Sequence, residues 1–187
     1  MQSNIFNKET FIGSPDWGES KYWSYKDLTV HYRVTGRESK PPIILIHGFG
    51  ASSDHWRNNA EIFASEGFRV FGLDLIGFGK SAQNLQNKIK HLDNQFWANQ
   101  LSSFLDEIVD IKKNGKVILI GNSLGALTAI TTLSERPELI KTIIAAPLPE
   151  PIFVNPIKFV LPSWLIKVRN FLIKLFFHLL PLKTLVN

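Results

Sequence analysis

The chain predicts an α/β fold with a mostly parallel sheet, and three observations carry that expectation. Short apolar runs bounded by Pro, Gly and charged residues alternate with longer segments whose apolar residues recur every three or four positions. The 187 residues, 44% of them hydrophobic, are enough for one domain with a real core. There is no cysteine, so stability must come from packing rather than from disulfides or a thiolate zinc site.

The elements follow in order. Tyr22 to Tyr25 and Leu28 to Val34 flank a Lys26-Asp27 turn, and Leu28, Val30, Tyr32 and Val34 alternate with polar neighbours, which predicts an antiparallel hairpin. After Pro41-Pro42, IILIH is a continuous apolar run, as expected of a strand covered on both faces. A helix over Asp54 to Ser65 and a strand RVFGLDL over 69–75 come next. A longer helix fits His91 to Ile111, where Phe96, Trp97, Leu101, Phe104, Leu105 and Ile108 share one face. Strand KVILIG, a helix from Leu124 to about Glu135 stopped by Pro137, and strand KTIIAA at 141–146 complete the series. Strands alternating with helices predict βαβ units. No internal repeat interrupts them.

Three motifs bear on chemistry. In GNSLGA, residues 121–126, Ser123 falls between glycines where a buried strand gives way to a helix. That context is the confirming condition for a nucleophile elbow, a sharp turn that lifts the hydroxyl clear of the sheet. Small residues are needed at Gly121 and Gly125 because side chains there would collide with the strand and helix. The helix start aims the Leu124 N–H and the positive end of a helix dipole at the reaction site. In HGFG, residues 47–50, a glycine lets the chain turn tightly, so that the Phe49 N–H can serve as a second oxyanion donor. The third motif is DLIGFGKS at 74–81, where Asp74 is expected to fix the following turn.

HGFGAS, DLIGFGKS and GNSLGA, in this order and spacing, resemble the α/β-hydrolase superfamily, and the likeness runs from about Trp23 to Pro149. Within it the text looks most like the pheophytinase-like hydrolases. The resemblance implies that Ser123 is the nucleophile of a serine hydrolase acting on an ester or other acyl substrate, with Phe49 and Leu124 supplying the oxyanion hole. Relatives that dehalogenate alkyl halides or open epoxides use aspartate at the nucleophile position, and Ser123 argues against both activities.

Nucleophilic serine needs a base. The resemblance puts the catalytic histidine after an eighth strand and the acid after a seventh, beyond residue 187, so the chain is expected to be a C-terminally truncated core lacking its last two strands. His47 and His31 are read as structural, His91 opens a distant helix, and His55 and His178 are weak candidates for an approach to the serine. Glu150, in APLPEP, falls where some members place the acid after the sixth strand; a solvated carboxylate between two prolines is the competing reading.

Residues 1–150 carry 16 basic and 16 acidic residues, and the net charge of +5 arises entirely from Lys158, Lys167, Arg169, Lys174 and Lys183. From Ser163, polar groups recur at Lys167, Asn170, Lys174 and His178 along one stripe of an otherwise apolar segment. Three readings compete for this composition: a cap helix over the site, which would make the pocket greasy, an interfacial membrane helix, and a core helix that has lost its partners; the resemblance favours the cap. Pro162, Pro181 and the charges leave no run long enough to span a bilayer.

These readings give an N-terminal extension at 1–21, a partial hydrolase core at 22–149 and a cap-like amphipathic segment at 150–187. The expected partner is a small hydrophobic ester, with peripheral membrane contact through 151–187 and a homo-oligomer or complementing chain as further expectations. No nucleic acid, cofactor or metal is expected, since no GxxxxGK pattern and no clustered ligands occur. The start, MQSNIFNKETFIGSPDWGES, has no basic stretch leading into an apolar run, so a cytoplasmic location is expected, with membrane association through the tail. The alternatives are a non-catalytic binding or interaction module, and a fragment completed by a partner chain.

Overall fold

A computed structural model describes residues 16–83 and 92–146. Glu150 and the segment 151–187 lie outside the described residues. Six strands form one mixed sheet: β1 (Glu19–Tyr25), β2 (Leu28–Thr35), β3 (Pro42–Ile46), β4 (Arg69–Leu73), β5 (Val117–Gly121) and β6 (Ile140–Ala145), in the order β1-β2-β4-β3-β5-β6. β1 pairs with β2 and β2 with β4 antiparallel, whereas β4, β3, β5 and β6 run parallel.

The hairpin closes at Tyr25 opposite Leu28, around Lys26 (φ 49°) and Asp27 (φ 59°). Two left-handed residues make the tight turn whose twist matches its strands. Lys26 carries this conformation without being glycine, and its ammonium sits 5.3 Å from the Tyr25 ring centre and 5.8 Å from that of Phe96.

β3 is buried on both faces. Ile44 and Ile46 join a cluster that includes Trp97, Leu101, Phe104 and Leu119, while Ile43 and Leu45 pack with Trp17, Trp56, Ala60 and Val70. Alternation with period two divides a uniformly apolar run between two cores. Each fully buried Ile or Leu contributes about 1.5–3 kcal/mol.

Two helices depart from expectation. The segment 54–65 is a 3-10 turn (Ser53–Trp56) followed by α1 (Ala60–Ser65). Ser52 caps the turn by accepting from the Asp54 N–H, the buried Trp56 anchors it, and Asn58-Asn59 then break the helical path, asparagine being a residue that competes for backbone hydrogen bonds. The segment predicted at 91–111 is α2 (Asn94–Phe104), capped by the Asp93 carboxylate on the Phe96 N–H, continued by a π-turn over Leu105–Val109 and halted by Asp110 at φ 52°. The wider π-turn keeps both Leu105 and Val109 buried. A short α3 (Ile111–Asn114) leads into β5, and α4 (Leu124–Glu135) leaves it. His91 lies outside the described residues.

Candidate active site

The parallel strands β3 and β5 end side by side, and the site grows from that junction. The Asn122 N–H donates to the Ile46 carbonyl (3.0 Å), the Ala146 N–H to the Gly121 carbonyl (3.1 Å), and the Asn122 side-chain amide to the Ala146 carbonyl (3.2 Å). Three strand ends are thereby tied at one residue. The chain then reverses into α4 through Ser123, at φ 50° and ψ −109°. Non-glycine residues avoid this conformation, at a cost of order 1–3 kcal/mol. The turn closes with the Gly125 N–H on the Asn122 carbonyl (2.8 Å) and the Leu127 N–H on that of Ser123 (3.1 Å).

The flanking glycines are explained by what surrounds them. A Cβ on Gly121 would strike the backbone of Gly125 and Ala126, and one on Gly125 would strike the carbonyls of Ile46 and His47. The helix can therefore start directly above the strand. Leu124 is its first residue, and the first N–H groups of a helix have no partner within it.

The turn at 47–50 lies against this elbow. A Cβ on Gly48 would stand 2.7 Å from Asn122 Oδ1 and 3.5 Å from Ser123 Cβ, so Phe49 directly follows a close approach between the two loops. The buried His47 shapes the turn: its Nε2 accepts from the Leu75 N–H (3.0 Å), which leaves Nδ1–H to donate to the Gly48 carbonyl (2.8 Å). Burial lowers the His47 pKa from its ordinary 6.5, against the opposing effect of the Gly48 hydrogen bond. The Phe49 ring, 81% exposed, meets Phe78 edge-on (5.3 Å), and Phe78 meets Trp97 (5.9 Å). An aromatic wall of three rings thus extends from this turn.

Asp74 directly follows β4 and organises the neighbouring loops. Its Oδ1 accepts from the Ser53 N–H (2.6 Å), and its Oδ2 from the Lys80 N–H (2.8 Å) and from His31 Nδ1 (2.9 Å). Burial alone would raise its pKa, but the hydrogen bonds from His31, Lys80 and Ser53 outweigh it and hold the carboxyl below its ordinary 3.8. The bond to Lys80 is the expected tie across GFGKS.

The partnership with His31, 1% exposed, is what the linear text hides. The two residues are 43 positions apart and meet because β2 pairs with β4. The other ring nitrogen, Nε2, lies 2.7 Å from Ser20 Oγ on β1.

Ser123, Leu124 and the turn bearing Phe49 are therefore neighbours, while His31 and His47 have both ring nitrogens engaged elsewhere. His55 is exposed and rests edge-on against Trp56 (5.0 Å). Among the described residues no hydrogen bond joins an imidazole to the Ser123 hydroxyl, and no three His, Cys, Asp or Glu side chains cluster as metal ligands. Likewise no helix there is long and apolar enough to cross a membrane. His178 lies outside the described residues.

A mixed sheet whose strand β5 feeds a helix through one strained residue, with the end of β3 and its turn beside it, defines the class as an α/β protein with an elbow at the strand-to-helix junction. The chain belongs to the α/β hydrolase fold family, whose model matches residues 41–170. It is 31% identical to mouse (Mus musculus) epoxide hydrolase 4 over 147 residues, 78% of this chain and 39% of that protein. It is 32% identical over 111 residues to 2-hydroxy-6-oxo-6-(2'-aminophenyl)hexa-2,4-dienoic acid hydrolase of Metapseudomonas resinovorans, covering 55% of this chain and 34% of that one. The solved thioesterase domain from the curacin biosynthetic pathway is similar with a TM-score of 0.63 and 27% identity, over 70% of this chain and 46% of its own. The chain spans 31% to 41% of the length of such sequence relatives.

Proposed function

We propose that the chain carries the nucleophile side of a serine hydrolase that cleaves an apolar ester or other acyl compound. Ser123 Oγ attacks the carbonyl carbon, and the N–H groups of Phe49 and Leu124 hold the resulting oxyanion, each worth about 10²–10³ in rate where such donors have been removed. The observation that carries the reading is the φ of 50° at Ser123, a strained turn placed where β5 meets α4 and supported by Gly121 and Gly125. Strain at a residue bearing a nucleophile is a mark of function. Likeness to a thioesterase domain supports acyl chemistry, and the serine at the elbow argues against epoxide opening, for which the superfamily resemblance implies an aspartate at that position.

The aromatic wall of Phe49, Phe78 and Trp97 favours an apolar acyl group. In this reading residues 22–149 are a partial core, 1–21 an extension and 150–187 a cap that also touches membrane surfaces. Glu150 is the candidate acid, and the base reaches Ser123 from outside the described residues.

One observation favours a second reading. The imidazoles of His31 and His47 are committed elsewhere, so the same site without a base would bind an apolar ligand and turn nothing over. Fluorophosphonate labelling, read by peptide mass, separates the two. Rapid labelling of the peptide containing Ser123, absent in Ser123→Ala, is expected of the hydrolase; an unlabelled Ser123 peptide points to the binding module.

A further inference from the structure

Ser20, His31 and Asp74 form a hydrogen-bonded row remote in sequence from the elbow at Ser123. Ser20 Oγ is 2.7 Å from His31 Nε2, and His31 Nδ1 is 2.9 Å from Asp74 Oδ2. An ionised carboxylate only accepts, so Nδ1 carries the ring proton and, in the neutral ring, Nε2 accepts from the Ser20 hydroxyl. Asp74 is locked by the Ser53 and Lys80 N–H groups, and His31 is packed under the exposed Tyr22 ring (5.2 Å). The polarity is that of a nucleophile, a base and an orienting acid, an arrangement recognised by geometry rather than by position in the chain.

The three members differ in access: His31 and Asp74 are each 1% exposed, whereas Ser20 is exposed on β1, the first strand of the sheet. The backbone adds one donor. The two-residue hairpin makes Tyr25 and Leu28 a hydrogen-bonded pair, and alternation along the ladder makes Ser20 and Arg33 a non-bonded pair. The Ser20 N–H therefore points away from β2, where it can reach an oxygen developing next to its own Oγ.

We propose that Ser20 is a second activated hydroxyl of this chain, with His31 as its base and Asp74 as the positioning carboxylate, and that it takes acyl groups from activated esters arriving from solvent. In the step, Ser20 Oγ bonds to the ester carbonyl carbon and its proton passes to His31 Nε2. The carbon–oxygen bond to the leaving group breaks, and the alcohol or phenol departs with that proton. The acyl group stays on Ser20. The phenolate of an activated ester is a better leaving group than the serine alkoxide, so acylation is expected to outrun deacylation.

The test uses the full chain carrying Ser123→Ala, which removes the elbow hydroxyl, and p-nitrophenyl acetate as probe. A nitrophenolate burst stoichiometric with protein is expected, about 100-fold faster than in the Ser20→Ala/Ser123→Ala double variant, the low end of what a positioned general base supplies. Peptide mass analysis should place the acetyl group on Ser20. Equal rates in the two proteins, or acetyl groups confined to lysines, would overturn the proposal. Ser20 lies on an exposed edge strand, so its alanine variant is expected to fold. The buried His31→Gln variant, if circular dichroism shows it folded, should lose the burst while keeping the Ser20 hydroxyl; if it does not fold, the Ser20 comparison decides alone.

Discussion

Gly125 in the first turn of α4 rests on the Ile46 carbonyl at the end of β3, leaving no space for even a methyl group between helix and strand. Gly125→Ala must push the helix off the sheet. A loss of about 1–3 kcal/mol is expected, the usual cost of overpacking, and a drop of several degrees in melting temperature. Fluorophosphonate labelling at Ser123 should fall with it, since the elbow moves with the helix. A variant as stable and as reactive as the parent would show that the contact does not position the turn.

Ser123→Gly should move stability the other way. Glycine accepts φ 50°, so the strain is relieved, offset in part by the greater freedom of glycine in the unfolded chain, about 0.4–1 kcal/mol. The net expectation is a gain of about 1 kcal/mol, a rise of about 2–4 °C for a chain of this size, with labelling at position 123 abolished. Scanning calorimetry measures it, and a lower melting point would mean that the hydroxyl makes a stabilising contact.

Phe49 separates ring from backbone. Phe49→Ala keeps the N–H and removes an exposed ring, so stability should change by less than about 0.5 kcal/mol. Phe49→Pro deletes the N–H, and labelling at Ser123 should slow by about 10²–10³ relative to Phe49→Ala. Equal rates in the two variants would remove Phe49 from the oxyanion hole.

Two buried groups shape the response to acid. The pKa of His47 is lowered by folding from 6.5, so the unfolded chain binds its proton first, and stability in place above pH 6.5 is lost as pH falls below it. Asp74 is lowered from 3.8; its contribution stands above that pH and disappears as pH falls through the depressed folded value. Urea midpoints against pH should show two declines, and His47→Gln should flatten the upper one. Asp74→Ala, which strands His31 and two backbone N–H groups, should cost about 3–5 kcal/mol at neutral pH.

Phe104 is the aromatic centre of the larger core, fully buried, with ring centres at 5.1 Å to Tyr32, 5.8 Å to Trp23 and 5.9 Å to Phe71. Phe104→Ala should cost about 3–5 kcal/mol by equilibrium denaturation and weaken the near-ultraviolet dichroism of those rings. A loss under about 1 kcal/mol would mean that the cavity refills.

The order of strands and helices was legible because each element announces itself locally: IILIH as a strand covered on both faces, Leu124–Glu135 between an elbow and Pro137. The elbow was legible for the same reason, as a motif confined to six residues. What escaped is cooperative across the sheet. Nothing in DLIGFGKS names His31 as the partner of Asp74, because their meeting depends on β2 crossing to lie beside β4. The π-turn at Leu105–Val109 is equally silent in the text, since a five-residue step that keeps two side chains buried looks like an ordinary helical face until Asp110 is seen to reverse the backbone.

The sheet order has a consequence for the chain as it is being made. The hairpin and β3 are synthesised first, but neither pairs with the other: both dock on β4, which comes out later and slots between them. A nascent polypeptide that ends before β4 holds the hairpin and β3 without the strand that pairs with both, and synthesis of β4 is what first allows them to share one sheet.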